Sequence, residues 1–395
     1  MTQFLEIGSF AETKAGGTPS TKIKEYWNNG EIPWINSGAL NQGIIKNCSK
    51  YITQIGLDNS SAKLMPADTV LIALTGATTG ITGYLTFESS ANQSVVGVLP
   101  SKKHYPKYLY YYFISIRDRV LNDANGAAQP GINQKYVKKI IVPLPTIEKQ
   151  KQIVAKLDDA FAAIDTAKLN VEKNLENAKE LFQSKLNEVF TQKSEGWVEK
   201  KLGEVCSLIK RGIAPKYVEM GGIQVINQKC IRNHKIDLSL PRRHNIDLKS
   251  VHPEKMIRMG DVLVNSTGVG TLGRVAQVRE VVLNNITVDT HVTIVRPITG
   301  EFFNDFFGYA LIKIEDEITS SGEGVSGQTE LARTKLENNF KLCYPASLEI
   351  QEQIVKVLDN LNEQTRSLES KYKQELESLE ELKKSILEKA FNGEL

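Results

Sequence analysis

Two segments rich in glycine and threonine have residue types that could bind a nucleotide or a nucleic acid. The first covers residues 75–83 (TGATTGITG) and the second residues 267–273 (TGVGTLG), and each follows a short apolar stretch. Neither matches the P-loop pattern GxxxxGK[ST], nor a GxGxxG segment that follows a strand and opens a helix. Small residues could instead let the backbone approach a DNA strand closely, so that neighbouring polar side chains reach the bases. Tight turns between strands are an equally good interpretation of any single glycine.

The residue types most often used in catalysis form no recognisable site. The five histidines make no HxH or HExxH pattern. The chain has no serine nucleophile elbow and no Asn/Asp-Pro-Pro-Tyr segment of an amino-methyltransferase. Asp289 and His291 lie on a predicted strand, where a lone pair of this kind is usually structural. The four cysteines are far apart and make no CxxC pair, so packed thiols are expected. We therefore expect a non-catalytic chain without a cofactor or metal site.

Polar and basic residues in or beside the glycine-rich segments are the candidates for DNA contact. In the first half of the chain these are residues 75–83 and 126–135, and in the second half residues 242–244 and 266–274. Arginine can bind guanine or phosphate through two hydrogen bonds. For Arg242 and Arg243, solvated surface charge is the alternative. The predicted DNA-binding residues are Thr75, Thr78, Thr79, Gln129, Asn133, Gln134, Lys135, Arg242, Arg243, His244, Ser266, Thr267 and Arg274.

Composition predicts a globular protein with more than one core. At 395 residues the chain is too long for one ordinary core, and its hydrophobic fraction is 41%. It contains no run of about 18 apolar residues and no signal peptide, so a cytoplasmic protein is expected. Net charge is +5 over residues 1–145, −1 over 146–195, +3 over 196–345 and −4 over 346–395. Basic globules fit a polyanionic partner, although such an excess is also within ordinary scatter.

A charged segment occurs twice and predicts two long helices. Residues 148–190 align without gaps to residues 349–391, with 14 of 43 positions identical. Each copy follows a stretch of roughly 145 residues rich in glycine and β-formers, so the chain is a duplicated unit of globule and helix. Thr146 and Ser347 are predicted N-caps. Because the second globule returns the chain, an antiparallel pair of helices within the chain is favoured. Packing of each helix on its own globule, or pairing between chains, stays open.

Both helices have the heptad pattern of a coiled coil, in which apolar residues recur at alternating steps of three and four. The predicted seam of the first helix is Val154, Leu157, Phe161, Ile164, Lys168, Val171, Leu175, Ala178, Phe182, Lys185 and Val189. The predicted seam of the second helix is Ile354, Leu358, Leu361, Thr365, Leu368, Tyr372, Glu375, Leu379, Leu382 and Ile386.

Joined features of the sequence resemble the DNA-specificity subunit of type I restriction-modification enzymes. They are the two Pro…Glu…Gln…Ile helix starts, of which the first reads Pro-x-x-Glu-x-Gln-x-Gln-Ile at residues 145–153, and the segments Ile32-Pro-Trp-Ile-Asn36 and Leu202-Gly-Glu-Val205. Residues 67–72 (ADTVLI) also parallel residues 260–264 (GDVLV). Each motif alone is weak, whereas together and in this order they are specific. The resemblance covers essentially the whole chain.

The resemblance implies an α+β fold with two mixed α/β target-recognition domains, separated by two long helices that form an antiparallel coiled coil. The expected division is residues 1–145 and 196–345 for the recognition domains, and 146–195 and 346–395 for the helices. In this family each domain reads one half of a split site in double-stranded DNA, and the helices set the gap between the halves. Two copies of a methyltransferase subunit bind the helices, and a restriction and translocation subunit joins them. A hydrolase or transferase with an unrecognised site, or a coiled-coil scaffold with protein-binding heads, is the alternative.

Three departures from the repeat prevent the transfer of contact residues from one half to the other. The first globule begins without a tryptophan before Ile7-Gly8. Residues 16–20 (GGTPS) are replaced in the second half by residues 211–217 (RGIAPKY). The second helix start reads Glu349-Ile-Gln351, with no adjacent Glu-Gln pair among these residues.

Overall fold

The computed structural model describes residues 2–124, 131–191, 195–279, 285–322 and 330–395. The chain divides into two compact units. Unit 1 comprises residues 1–172 and 373–395, and unit 2 comprises residues 173–372. Each unit therefore contains one globule, part of the first long helix and part of the second.

Unit 1 is built on an antiparallel five-stranded sheet with one parallel edge pair. Its described strands are β1 (Gln3–Glu6), β2 (Thr13–Ala15), β3 (Ile32–Ile35), β4 (Ile44–Ile45), β5 (Tyr51–Ile52), β6 (Val70–Ala73), β7 (Thr82–Leu85), β8 (Ser90–Ala91), β9 (Val95–Val98) and β10 (Ile141–Leu144). The main sheet has the order β2-β9-β6-β7-β4, a smaller one β5-β3-β8, and β1 pairs with β10. The central strand β6 is buried along its whole length, which explains its unbroken apolar sequence.

Unit 1 also has short helices. They are α1 (Ile7–Phe10), α2 (Gln54–Asp58), α3 (Pro106–Ser115), α4 (Arg117–Asp123) and α5 (Gln134–Lys139). Pro106 starts α3, where its missing N–H needs no partner. The tyrosine-rich helix α3 packs between the main sheet and the long helices. Tyr108 and Tyr112 both contact the ring of Phe391, near the end of the second long helix.

Unit 2 repeats this arrangement in the same chain order. Its described strands are β11 (Trp197–Lys201), β12 (Cys206–Arg211), β13 (Tyr217–Val218), β14 (Ile223–Ile226), β15 (Ile231–Arg232), β16 (Lys235–Ile236), β17 (Arg242–His244), β18 (Val262–Asn265), β19 (Val275–Gln277), β20 (Ile286–Val288), β21 (Val292–Pro297) and β22 (Lys341–Pro345). The sheets have the orders β12-β21-β18-β19 and β13-β17-β14-β20, with the pairs β15-β16 and β11-β22. The short helices are α7 (Leu202–Val205), α8 (Phe306–Lys313), α9 (Glu315–Ser320) and α10 (Arg333–Asn339).

The two repeated segments form helices of equal length, α6 (Ile147–Thr191) and α11 (Leu348–Asn392). The hydroxyl groups of Thr146 and Ser347 accept N–H groups of the first turns at 3.4 Å, which confirms both N-caps. Within unit 1 the helices run in opposite directions, since Lys149 bonds to the carbonyl of Leu395 and Lys168 pairs with Glu380. The predicted fold class is confirmed.

The predicted seam holds for α6 and, in α11, for seven of its ten residues. Every predicted seam residue of α6 is buried or half-buried. In α11 the predicted seam residues Leu368, Glu375 and Leu382 are exposed. At these three places the next residue along the helix is half-buried instead, for example Leu376 after the exposed Glu375. At Lys383, which replaces Leu382, the side chain lies over the ring of Phe161 with Nζ 4.8 Å from the centroid.

A buried glutamine fastens each long helix to its globule. The side chain of Gln150 is fully buried, accepts the N–H of Tyr105 at 2.7 Å and donates to the carbonyl of Pro145 at 2.8 Å. Gln351, at the same place in the second copy, accepts the N–H of Phe303 and donates to the carbonyl of Pro345, both at 2.8 Å. The glutamine of the repeated helix-start motif is therefore a structural lock.

Candidate nucleic-acid interface

In the first globule, turns that follow several strands meet at one place, which we call the first junction. It consists of the residues after β2, β3 and β6 and of the β8–β9 turn, that is 16–18, 36–37, 75–76 and 92–94. Its backbone is closely tied. Asn92 N–H donates to the carbonyl of Ile35, Leu74 N–H donates to the carbonyl of Ser94, and Ile132 N–H donates to the carbonyl of Leu74, each at 2.8 Å.

The second globule has the same junction, formed by residues 212–213, 227–229, 267–268 and 289–291. Asp289 N–H donates to the carbonyl of Ile226, and Ser266 N–H donates to the carbonyl of His291, at 2.9 and 2.8 Å. Leu331 N–H then donates to the carbonyl of Ser266 at 2.9 Å. These three bonds correspond one by one to those of the first junction, so both globules hold these turns with one backbone design.

A glycine closes each junction. The N–H of Gly16 donates to the carbonyl of Val95, and at the equivalent position of the second globule the N–H of Gly212 donates to the carbonyl of Val292. A β-carbon on Gly16 would lie 2.0 Å from the carbonyl oxygen of Asn92, and one on Gly212 would lie 1.8 Å from that of Val288. No side chain fits at either position, and the backbone approach depends on glycine.

The side chains on these matching backbones differ. The first junction presents Thr18, whose hydroxyl donates to the side-chain oxygen of exposed Gln93, and half-buried Asn36. The second junction presents Gln228, Thr267 and the exposed His291. A constant backbone with variable polar side chains suits recognition of different chemical patterns by related surfaces.

Two of the predicted segments of the first globule lie together, because Thr75 forms a β-bridge with Gly131. Thr75 and Lys135 are exposed. Asn133 caps α5 by accepting the N–H of Tyr136, and Gln134 donates to the carbonyl and hydroxyl oxygens of Thr13 at 2.9 Å. Gln129 lies outside the described residues.

Several predicted contact residues are used inside the fold instead. Thr79 is fully buried, and its hydroxyl donates to the carbonyl of Gly76. The hydroxyl of the half-buried Thr78 donates to the carbonyl of Thr75. Ser266 is fully buried and bonds to the hydroxyl of Thr293. His244 is fully buried, with Nδ1 accepting the N–H of Lys216 and Nε2 donating to the carbonyl of Lys249, both at 2.8 Å. We leave Thr79, Ser266 and His244 out of the candidate surface because their polar atoms are already paired.

The three predicted arginines occupy different places. Arg242 and Arg243 are exposed on β17, where Arg242 opposes Val225, two residues before Asn227 of the second junction. The guanidinium of Arg242 stacks on the ring of Tyr217, 3.3 Å from its centroid. Arg274 instead donates to the carbonyl of Gly270 at 2.7 Å, a hydrogen bond within the predicted segment 266–274. Arg242 is therefore the best positioned of the three for an external contact.

The DNA-binding residues predicted from the sequence do not include Gln93, Gln228 or His291, and the sequence predicts a structural role for His291. A signal for these residues was available, because β3 with its next residue reads Ile-Pro-Trp-Ile-Asn36 and β14 reads Ile-Gln-Val-Ile-Asn227. In each case the asparagine caps a 3₁₀ turn through its side-chain oxygen. Comparison of these two motifs would have aligned the turns and drawn attention to the polar residues beside them.

The helices beside the two glycine-rich segments differ in charge, since α4 has two arginines and two aspartates whereas α9 has three acidic residues and no basic one. In the first globule α4 has exposed Arg117 and Arg119 with one aspartate between them, and a β-carbon on Gly80 would lie 3.4 Å from Arg117 Cγ. The equivalent helix α9 begins Glu315-Asp316-Glu317. Glu315 accepts the N–H of Val275 at 2.9 Å. Only the first of these two helices thus presents cations beside its loop.

Helix α5 extends the basic surface of the first globule with exposed Lys135, Lys138 and Lys139. Tyr136 of α5 links it to α4, because its hydroxyl donates to Asp123 at 2.8 Å. Burial and this hydrogen bond raise the pKa of Tyr136 to about 12. The tyrosine therefore stays a neutral donor at neutral pH.

The buried ionisable groups His104 and Asp289 lie in different globules of the described structure. His104 is buried against Phe10, with Nδ1 2.8 Å from the hydroxyl of Ser101, and burial lowers its pKa to about 4. Burial raises the pKa of the Asp289 carboxyl, which accepts the N–H of His291 at 2.9 Å. Within the described ranges no group of three His, Cys, Asp or Glu residues is placed to hold a metal ion. No described helix is long and apolar enough to cross a membrane.

Comparison with known proteins gives the same family for both halves of the chain. The family model described as "Type I restriction modification DNA specificity domain" matches residues 2–177 and again residues 194–378. The two matches contain the two globules and most of both long helices, so the duplication seen in the structure is also a duplication of the family domain.

Individual relatives are more distant. The chain is 28% identical over 161 residues to the EcoR124I/EcoR124II specificity subunit of a type I restriction enzyme from Escherichia coli, covering 40% of each chain. It is 28% identical over 246 residues to the MjaIX specificity subunit from Methanocaldococcus jannaschii, covering 57% of this chain and 56% of the relative. The chain therefore spans 40% and 56% of the lengths of these two relatives.

A solved structure supports the fold over the full length. A chain from a type I restriction-modification system, solved in a study of complex assembly and conformational transition, superposes with a TM-score of 0.81 at 21% identity. The superposition covers 100% of the present chain and 98% of the other. At this identity the similarity establishes the arrangement of the backbone.

Proposed function

Because the chain belongs to the type I restriction modification DNA specificity family, we propose that it is the non-catalytic, DNA-reading subunit of a cytoplasmic restriction-modification complex. Each globule reads one half of a two-part sequence in double-stranded DNA. The paired long helices set the number of unread base pairs between the halves and dock the methyltransferase subunits. The domain division of residues 1–145, 146–195, 196–345 and 346–395 belongs to this proposal.

The observation that carries the proposal is the pair of junctions. Three corresponding backbone hydrogen bonds and one glycine contact give both globules the same scaffold, whereas the exposed polar side chains differ. Amides, hydroxyls and imidazoles are the groups that distinguish base edges. Two globules of one scaffold with different polar groups would read two different half-sites.

Basic residues beside the first junction would supply phosphate contacts, which position a protein on DNA without reading sequence. We assign this role to Arg117, Arg119 and Lys135, which are all exposed. Arg117 lies beside Gly80, in the loop that begins at Thr75. In the described part of the chain these three side chains form no ion pair. In the second globule Arg242, stacked on Tyr217, is the proposed counterpart.

Equivalent exposed leucines on the long helices would serve as docking points for two copies of a methyltransferase subunit. Leu181 is 50% exposed and Leu382 is 47% exposed, and the two occupy the same position of the repeat. In unit 2, Leu181 lines a shallow apolar groove with Val357 and Leu361. An exposed apolar residue repeated in both copies fits a partner that is also present twice.

Selection from a randomised DNA library with the full chain tests the proposal. The expected result is a consensus of two short specific blocks separated by a fixed number of unspecified base pairs. The logarithm of the affinity for that site should fall linearly with the logarithm of the salt concentration, because phosphate contacts release counterions. A protein-binding scaffold would give no consensus, and a hydrolase or transferase would show activity as a purified chain. Either outcome would replace the proposal.

A further inference from the structure

A hydrogen-bonded group of three side chains lies at the second junction. The hydroxyl of Thr267 is 2.7 Å from Nδ1 of His291 and 3.3 Å from the side-chain oxygen of Gln228. The backbone of His291 is fixed on both sides, because its N–H donates to Asp289 at 2.9 Å and its carbonyl accepts the N–H of Ser266 at 2.8 Å. The imidazole is exposed, and its Nε2 bonds to no residue in the described part of the chain.

The orientation of the Gln228 amide sets which nitrogen of His291 carries the proton. The amide oxygen faces Thr267, and because this oxygen can only accept, the single hydroxyl proton of Thr267 is donated to it. Thr267 must then accept from His291, which places the imidazole proton on Nδ1. In the neutral ring Nε2 is consequently an acceptor, and it is the nitrogen that faces outward.

Resting on the function proposed above, we infer that His291 is a specificity-determining residue of the second globule. Its Nε2 accepts a hydrogen bond from the exocyclic amino group of a base in the major groove, the N6 amino group of adenine or the N4 amino group of cytosine. These two amino groups are the only donors that base edges present in that groove. Thr267 and Gln228 are positioning residues, since they act by fixing the tautomer and the angle of the ring.

The first globule offers a matched control. Ser94 occupies the position of His291, because its carbonyl accepts the N–H of Leu74 as that of His291 accepts the N–H of Ser266. Its neighbour Gln93 is held by Thr18, and no imidazole is present at this junction. The first globule would therefore read its half-site with other groups, and changes at Ser94 should leave the second half-site unaffected.

The first experiment repeats the library selection with the full chain carrying His291→Ala, Thr267→Val or Ser94→Ala. The expected result for His291→Ala is the loss of preference at one position of one half-site, with roughly a tenfold drop in discrimination there. Thr267→Val should weaken the preference at that same position, because Nδ1 is no longer held as a donor. Ser94→Ala should leave the position unchanged. Circular dichroism of each variant checks that the fold is retained.

The second experiment removes single groups from the DNA at the identified position. Replacing adenine by purine, or cytosine by 2-pyrimidinone, deletes the amino group and should weaken binding of the wild-type chain without further weakening His291→Ala. Replacing the N7 nitrogen of a purine by carbon should have no effect. An unchanged consensus with His291→Ala, or sensitivity to N7 in place of the amino group, would overturn the inference while leaving the proposed function intact. A wild-type chain that selects no consensus would overturn the proposed function itself.

Discussion

Replacing Gln351 by leucine should destabilise unit 2 through the loss of its helix lock. The side chain is fully buried and forms two hydrogen bonds of 2.8 Å, to the N–H of Phe303 and the carbonyl of Pro345, and a longer one to the carbonyl of Glu301. Leucine has a similar size but cannot replace these bonds. A buried donor or acceptor left unpaired is destabilising by about 1–3 kcal/mol. With two strong bonds lost and some apolar burial gained, the expected decrease in the free energy of unfolding is about 2–4 kcal/mol.

Differential scanning calorimetry of the full chain measures this effect. For a unit of this size, 1 kcal/mol corresponds to a change in Tm of about 2–4 °C, so Gln351→Leu should lower the transition of unit 2 by about 5–15 °C. Gln353→Leu is the matched control, because Gln353 lies two residues further along the same helix and is exposed. Gln150→Leu should produce the corresponding loss in unit 1. If Gln351→Leu shifts Tm no more than Gln353→Leu does, the lock does not contribute to stability and the reasoning fails.

Three further changes test the helices and the charged surface. Leu358→Asp places a carboxylate where the native side chain is fully buried, and thermal melts should show a free energy of unfolding lower by several kcal/mol. Leu368→Asp, at a residue that is 36% exposed, should change it little, and equal effects of the two substitutions would contradict the observed seam. The double substitution Arg117→Ala and Arg119→Ala should weaken binding to all DNA sequences alike and reduce the slope of log affinity against log salt by about two, as measured by fluorescence anisotropy. A change in sequence preference would mean that these arginines read bases. Seven residues inserted in both helices, after Asn174 and after Glu375, add about 10 Å of helix and preserve the heptad phase. The preferred gap between the two DNA half-sites should then grow by fewer than three base pairs, as measured by binding to a series of sites with different gaps. An unchanged preferred gap at full affinity would show that the helices do not set it.

The sequence alone determined the repeat, the fold class and the two long helices. The reason is that these features depend on local periodicity and on copies that can be compared directly. An apolar step of three and four residues specifies a helix face without knowledge of any partner. The caps at Thr146 and Ser347 follow from local chemistry in the same way, since a hydroxyl before the first turn has an N–H within reach. The buried strands β6 and β18 were likewise visible as short apolar runs.

The tertiary structure decided the register of the second helix. Leu368 and Leu382 fit the predicted seam by residue type, but both are exposed, and the residue that follows each of them, Glu369 or Lys383, is half-buried. The long side chain of Lys383 lies over the ring of Phe161. The heptad pattern does not predict this contact, because it assigns only apolar residues to the interface. Apolarity alone therefore leaves a shift of one residue undetermined.

The tertiary structure also decided which polar residues face outward. Thr79, Ser266 and His244 look like contact residues in the sequence because they stand in glycine-rich or basic segments. In the fold their side chains are buried and their polar atoms are paired, in the case of Ser266 with Thr293, 27 residues later in the chain. His291, which looks structural in the sequence, is exposed and held by Thr267, 24 residues earlier in the chain. Whether a polar side chain binds its own chain or an external ligand depends on these long-range pairings, which residue type and spacing do not encode.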